Sequence, residues 1–338
     1  MKAVGYRKPG EIDRDEALID LTLDDPTPGP HDLLVEVHAV SVNPVDTKLR
    51  RRAGPDEGQD AKVLGYDAAG IVVAVGDAVE EFVAGDEVFY AGSIDRPGTN
   101  SELHVVDARI VGRKPTTLDF AEAAAMPLTS ITAWEALFDR LRVASAVPGS
   151  GNALLIVGGG GGVASMAVQL ARHLTDLTVI ATASRPETRE WISSLGAHHV
   201  IDHSRPMAEQ VAALDVGAPG FVFSTTHTDE HLGDCAELIA PQGRFALIDD
   251  PETLDIMPFK QKSVSVHWEL MFTRPVFVTP DIDAQGKLLN KVADMVDDGT
   301  VRTTLGARYG RIDAATLIRA HRDVESHRTK GKIVLEGF

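Results

Sequence analysis

Five consecutive glycines, Gly158 to Gly162, interrupt a stretch with no formally charged residue between Arg142 and Arg172. Within the run, Gly159, Gly161 and Ala164 fit the pattern G-x-G-x-x-G/A. The first position needs a tight turn, the second a bare backbone that a pyrophosphate can approach, and the third a small side chain where helix meets strand. Leu154-Leu155-Ile156-Val157 before the run reads as a short buried strand, and Val163, Met166, Ala167, Leu170 and Leu174 after it recur at helical spacing. Glycines in such number would make a costly helix interior, so the stretch is not read as a membrane span. Strand, glycine turn and helix together form an anion site at a helix N-terminus, suited to a dinucleotide.

About 20 residues further on, an Asp or Glu would bond the 2′-hydroxyl of NAD. This chain has Ala183-Ser184-Arg185-Pro186 there. With no carboxylate to repel a 2′-phosphate and a guanidinium to pair with it, NADP is favoured. Arg185 and Arg189 also suit the solvated first turn of a helix, and both readings stand.

Two other patterns bear on metals. His227-Thr228-Asp229-Glu230-His231 has the i, i+4 spacing that can chelate a metal on a helix. It falls at a strand-to-helix turn where Asp229 reads as an N-cap, so the two imidazoles need not share a face. His198, His199, His321 and His327 lack partner spacing and read as surface or packing residues. Cys235 is the only cysteine, which excludes an internal disulfide framework and any Cys-rich zinc site. With no apolar core behind the charged N-terminus, a reducing cytoplasm is expected.

The elements that must position these residues alternate. Strands are expected over 178–183, 199–201, 221–224 and 243–248, and helices over 186–195, 207–214 and 230–239, which implies βαβ units and a doubly wound parallel sheet. Upstream, Leu33 to Val40, Ala69 to Gly76 and Glu87-Val88-Phe89 are β-branched runs broken by Gly, Pro and Asp, as in an antiparallel or barrel-like β domain. Helices over 287–297 and 314–324 and a strand over 332–335 could rejoin either domain. The length of 338 residues fits about two domains. Lys+Arg 33 against Asp+Glu 50 gives −17, which disfavours nucleic acid and anionic membranes as partners.

Taken together, the chain resembles the medium-chain dehydrogenase/reductase superfamily, in its quinone-oxidoreductase branch, near the zinc-type alcohol dehydrogenase-like group. The resemblance rests on Met1-Lys2-Ala3-Val4, Val42-Asn43-Pro44-Val45-Asp46, Leu64-Gly65-Tyr66-Asp67-Ala68-Ala69-Gly70, Gly85-Asp86-Glu87-Val88, Pro127-Leu128-Thr129-Ser130-Ile131-Thr132-Ala133-Trp134, the glycine turn and Gly331-Lys332-Ile333-Val334-Leu335. It implies an α/β protein: a GroES-like β-rich catalytic domain over 1–127 with a C-terminal return over 268–338, around a Rossmann domain over 128–267, with the active site in the cleft between them. The positions that carry catalytic zinc ligands in zinc-dependent members match Asn43, Tyr66 and Leu128, none of which is a zinc ligand, so no zinc is expected.

The same resemblance implies that Gly159, Gly161, Gly162 and Val163 face the pyrophosphate, that Ser184, Arg185 and His203 face the 2′-phosphate, and that Ser224, Thr225 and Ile248 lie along the nicotinamide. Tyr66 is then a proton or hydrogen-bond donor to the acceptor oxygen, with Asn43 and Thr129 orienting that oxygen. Otherwise Tyr66 is a packed aromatic and Asn43 a turn residue. Trp268, Met271 and Phe272 are candidates for a substrate wall, core or dimer interface, and the edge strand Ser263-Val264-Ser265-Val266-His267 implies a homodimer. The reaction implied is NADPH-dependent hydride transfer to a small quinone or α,β-unsaturated carbonyl. A zinc-type alcohol dehydrogenase and a non-catalytic NADPH-binding protein are the alternatives.

Overall fold

Along residues 32–42 the side chains of Leu33, Val35, Val37 and Ala39 are buried, a period of two that only an extended strand gives. The computed structural model describes all 338 residues and divides into two compact units, Met1–Ile131 with Phe272–Phe338, and Thr132–Met271.

The first unit holds strands β1 (Lys2–Tyr6), β2 (Ile19–Thr22), β3 (Asp32–Val42), β4 (Lys62–Val63), β5 (Ala68–Val75), β6 (Glu87–Tyr90), β7 (Leu103–Asp107) and β8 (Gly112–Arg113). The second holds β9 (Gly151–Val157), β10 (Thr178–Thr182), β11 (His199–Ile201), β12 (Pro219–Ser224), β13 (Arg244–Leu247) and β14 (Ser265–Trp268). The chain then returns to the first with β15 (Leu305–Arg308) and β16 (Lys332–Glu336).

In the first unit a small sheet runs β2-β1-β4, and a larger one runs β15-β16-β3-β5-β6-β8 with β7 on β3. β16 lies antiparallel to β3 with Ile333 opposite Val42, so Lys332 stands beside the start of the helix Pro44–Arg52. β5 begins one residue after Asp67, which sets that carboxylate at the same end of the sheet.

The second unit is the doubly wound sheet, with order β11-β10-β9-β12-β13-β14 and every pair parallel. β9 is central because its Ala153 to Val157 are all buried, as a strand covered on both faces requires. β10 leaves it on one side and β12 on the other, so the chain after Val157 opens at the topological switch point. Cys235 packs at 1% exposure into the core beneath, and burial pushes its thiol up to about 12.

One local expectation fails. The helix Thr228–Leu238 is capped at His227, in the left-handed region at φ 50°, and not at Asp229. The reason is tertiary: the Asp249 carboxylate accepts from the Thr228 backbone N–H at 2.9 Å and takes over the capping acceptor's work. No helix is long and apolar enough to cross a membrane.

Candidate functional site

The glycine turn leaves β9 and enters the helix Gly162–Leu174, and its glycines are there for different reasons. Gly158 has φ +98°, and a Cβ there would lie 2.4 Å from Thr225 Oγ1. At Gly159 a Cβ would lie 2.8 Å from the Thr182 carbonyl oxygen, and at Gly160 2.9 Å from Thr188 Cγ2. Gly161 differs, since a Cβ there would meet only the Gly158 oxygen at 3.8 Å. Nothing in the protein demands glycine at this exposed position. The cradle it leaves open faces the first turn of a helix that has no side-chain cap, and those free N–H groups fit a pyrophosphate. Gly162 and Val163 form that turn. The dinucleotide therefore fits the residues present.

Ser184 is exposed after β10, and Arg185 is the half-buried N-cap of the helix Pro186–Ser194, 3.4 Å from Glu187. Arg189 is not solvated: its guanidinium donates to the carbonyls of Ala183 and Val200 and ties the ends of β10 and β11 together. His203 Nδ1 lies 3.2 Å from Thr182 Oγ1, and burial with the neighbouring His231 holds its pKa below the usual histidine range. Ser224 Oγ is 2.7 Å from Thr228 Oγ1, and Thr225 Oγ1 donates to the Val157 carbonyl at 2.7 Å. Ile248 follows β13 half-buried. All these residues lie at the carboxyl edge of the parallel sheet, where ligands of such folds bind. His231 packs against the His203 ring, while His227 Nδ1 pairs with Thr226, so the two histidines have separate partners.

In the first unit the sequence brings together something denser. Asp67 is fully buried and accepts four hydrogen bonds: from the Leu128 N–H at 2.7 Å, the Ser41 hydroxyl at 2.7 Å, Asn43 Nδ2 at 2.8 Å and the Lys332 ammonium at 2.9 Å. Lys332, with its side chain 4% exposed, also donates to Asn43 Oδ1. Asn43 sits at the N-cap of its helix but makes no side-chain cap bond, because both ends of its amide are spent on this cluster. Asp46 accepts from the backbone N–H groups of Asn43 and Gly65, and burial pushes its carboxyl up to about 7.

Tyr66 stands beside this cluster. Its ring is 1% exposed and edge-on to Phe272 at 5.4 Å, its carbonyl accepts from Asn43 Nδ2 at 3.4 Å, and its hydroxyl has no partner. Burial, with Asp46 adding, drives its pKa far above the usual phenol value, so it remains a donor at every physiological pH. Thr129 donates to the Met126 carbonyl at 3.0 Å. Ser130, fully buried with an unpartnered hydroxyl, is a polar group that sequence reasoning passed over. Met271 and Phe272 are buried, whereas Trp268 is 55% exposed.

Lys332 was also missed as a site residue. Its motif is visible in the sequence, but a lysine opening a strand reads as solvated until the strand's partner is known. The structure equally adds Glu135 and Glu269, two buried carboxyls in the second unit. Burial and Glu135 push Glu269 up to about 9, with Arg140 at 2.8 Å pulling the other way.

A zinc ion does not fit the positions matched to zinc ligands. They carry a carboxamide, a phenol and an isobutyl group, and the adjacent carboxylate is saturated by four donors, one of them an ammonium. Catalytic zinc needs three thiolate, imidazole or carboxylate ligands.

Comparison with known proteins agrees with this architecture. The alcohol dehydrogenase GroES-like domain family matches residues 29–127, and the zinc-binding dehydrogenase family matches 195–335. A zinc-type alcohol dehydrogenase-like protein of Staphylococcus epidermidis is 35% identical over 339 residues, 99% of each chain. A 2-methylene-furan-3-one reductase of Solanum lycopersicum is 36% identical over 225 residues, 62% of this chain and 54% of that one. Among solved structures, a protein from Rhizobium etli CFN 42 assigned as a zinc-dependent alcohol dehydrogenase is 66% identical with a TM-score of 0.98, over 100% of this chain and 98% of that one. A mycobacterial protein complexed with NADPH is 25% identical with a TM-score of 0.81, over 99% of both chains. The chain belongs to the medium-chain dehydrogenase/reductase superfamily, among its zinc-type alcohol dehydrogenase-like proteins.

Proposed function

We propose that this oxidoreductase is an NADPH-dependent, zinc-independent reductase of quinones or α,β-unsaturated carbonyls. The observation that carries the reading is Tyr66: a buried phenol, held protonated, with no partner of its own. The furanone reductase and the NADPH-bound relative support the acceptor class and the cofactor.

NADPH supplies a hydride when bound. Gly161, Gly162 and Val163 would hold its pyrophosphate, Ser184, Arg185 and His203 its 2′-phosphate, and Ser224, Thr225 and Ile248 its nicotinamide half. A buried hydrogen-bond donor beside an acceptor oxygen would stabilise negative charge on that oxygen without reorganising. Tyr66 is that donor. Asn43 acts through Tyr66, since its amide is spent on the Tyr66 carbonyl, Asp67 and Lys332. Thr129 follows Leu128, whose N–H donates to Asp67. Because its hydroxyl hydrogen is engaged with Met126, only its oxygen remains for a ligand.

The protein acts as a homodimer in this reading. β14 is the open edge of the parallel sheet, and Trp268 and Leu270 stand 55% and 54% exposed on and just beyond it, a surface suited to a second copy. A cytoplasmic location goes with it, supported by the single, buried cysteine.

Oxidation of NADPH against quinones, enones, enals and aldehydes, with metal content measured on the same sample, tests the reading. Turnover with quinones or enones that survives chelators is expected, and Tyr66→Phe should lower kcat about 10²-fold with NADPH affinity unchanged. Stoichiometric zinc with chelator-sensitive alcohol oxidation would overturn it.

A further inference from the structure

Lys332 meets Asn43 and Asp67 from far along the chain, 289 residues from the first and 265 from the second, while those two are 24 apart. A bound metal ion is the usual way to clamp such segments with few atoms. Here the donor set is matched to a single positive charge: one carboxylate, and one neutral carboxamide turned with its oxygen toward the cation. A divalent ion in that place would be left under-neutralised, whereas an ammonium is balanced by Asp67 alone. The side chain that supplies it arrives from the C-terminal return on β16, positioned by the pairing of Ile333 with Val42.

We propose that Lys332 is a positioning residue whose ammonium serves as a cation built into the chain, clamping Asp67 to Asn43 and thereby setting Tyr66. The amide orientation is the means. With Oδ1 held by Lys332, Asn43 must turn Nδ2 toward Asp67 and the Tyr66 carbonyl. Without the ammonium, Asn43 Oδ1 and Asp67 lose the donor they share, and the hold of Nδ2 on the Tyr66 carbonyl loosens. The kinetic part of the proposal rests on the reductase reading; the clamp itself does not.

Lys332→Ala leaves a vacancy of the shape and charge of n-propylammonium, and this makes the test. In the variant, kcat should fall about 100-fold, as for a reacting group displaced by about an ångström, while NADPH affinity, measured separately by fluorescence titration, stays within about twofold. Added n-propylammonium should raise both kcat and Tm of the variant in a saturable way, tetramethylammonium at equal ionic strength should not, and the parent protein should respond to neither. Lys332→Arg, which keeps the charge, should retain more activity than Lys332→Ala. A Lys332→Ala protein with unchanged kcat, or one that n-propylammonium restores in neither kcat nor Tm, overturns the proposal. Should Lys332→Ala not fold, the charge-neutral pair Lys332→Met with Asp67→Asn replaces it. Loss of kcat with NADPH binding retained then supports the clamp, and full kcat overturns it. If the parent protein oxidises NADPH against none of the quinones, enones, enals and aldehydes, the reductase reading fails, and rescue of Tm still decides the clamp.

Discussion

The glycine turn of the second unit and the polar cluster of the first are built on opposite principles. The turn is made of backbone and of missing side chains: Gly158, Gly159 and Gly160 are required by close neighbours, and Gly161 leaves a space that nothing in the protein fills. The cluster is made of side chains that fill everything, with Asp67 taking four donors and Lys332 and Asn43 spending their polar atoms on one another. A backbone site tolerates change in its side chains but not added bulk. A compensated cluster tolerates bulk poorly and the loss of one member worse, because the partners left behind are buried and charged.

The largest effect is expected of Asp67→Ala. It strands a buried ammonium and an amide N–H, and should cost about 3–5 kcal/mol of stability by denaturant unfolding; a loss under about 1 kcal/mol would mean the cluster does not hold the first unit together. Next comes a pair of alanines in the turn. Gly161→Ala should leave stability within about 1 kcal/mol yet weaken NADPH binding about 100-fold, or about 2.7 kcal/mol. Gly158→Ala should lose about 1–3 kcal/mol of stability as well, given its positive φ. Equal stability losses in the two would show that Gly161 is there for packing.

Protonation sharpens the contrast further. His321, buried in the first unit with Arg50 beside it, has its pKa pushed down to about 3 from 6.5, chiefly by burial. The unfolded chain therefore binds this proton first as pH falls. Its contribution is complete above pH 6.5 and is lost progressively toward pH 3. Between about pH 6.5 and 5 the stability advantage over His321→Gln should shrink by about 2 kcal/mol. A pH-independent difference would place the imidazole in contact with solvent. The smallest effect is expected at the rim of the cradle, where Arg185→Gln should weaken NADPH about tenfold, about 1.4 kcal/mol, and leave NADH untouched. Equal loss for both dinucleotides would remove Arg185 from the 2′-phosphate.

The two sites were unequally legible. The run Leu154 to Val157, the glycines and the apolar spacing after them lie within some twenty residues, and each signal is local, so strand, turn and helix were readable together. The helix starts at Thr228, before Asp229, because Asp249, 21 residues further on, accepts from the Thr228 N–H. Asn43 was legible as a residue of the site, but its orientation was not. An asparagine before a proline suits a free amide, a cap or a turn equally well, and Lys332 decides among them from 289 residues downstream.

Residue order alone therefore settled the alternation that makes the parallel sheet, the glycine turn at the end of β9, and the impossibility of a Cys-rich zinc site. These depend on backbone propensity, short-range periodicity and composition, which neighbours along the chain express. That Lys332 is buried against Asp67 and Asn43 came from the pairing of β16 with β3, and that the Tyr66 hydroxyl has no partner came from the packing around it. Burial of a charge is a property of what packs around it, and here the packing partners come from opposite ends of the chain.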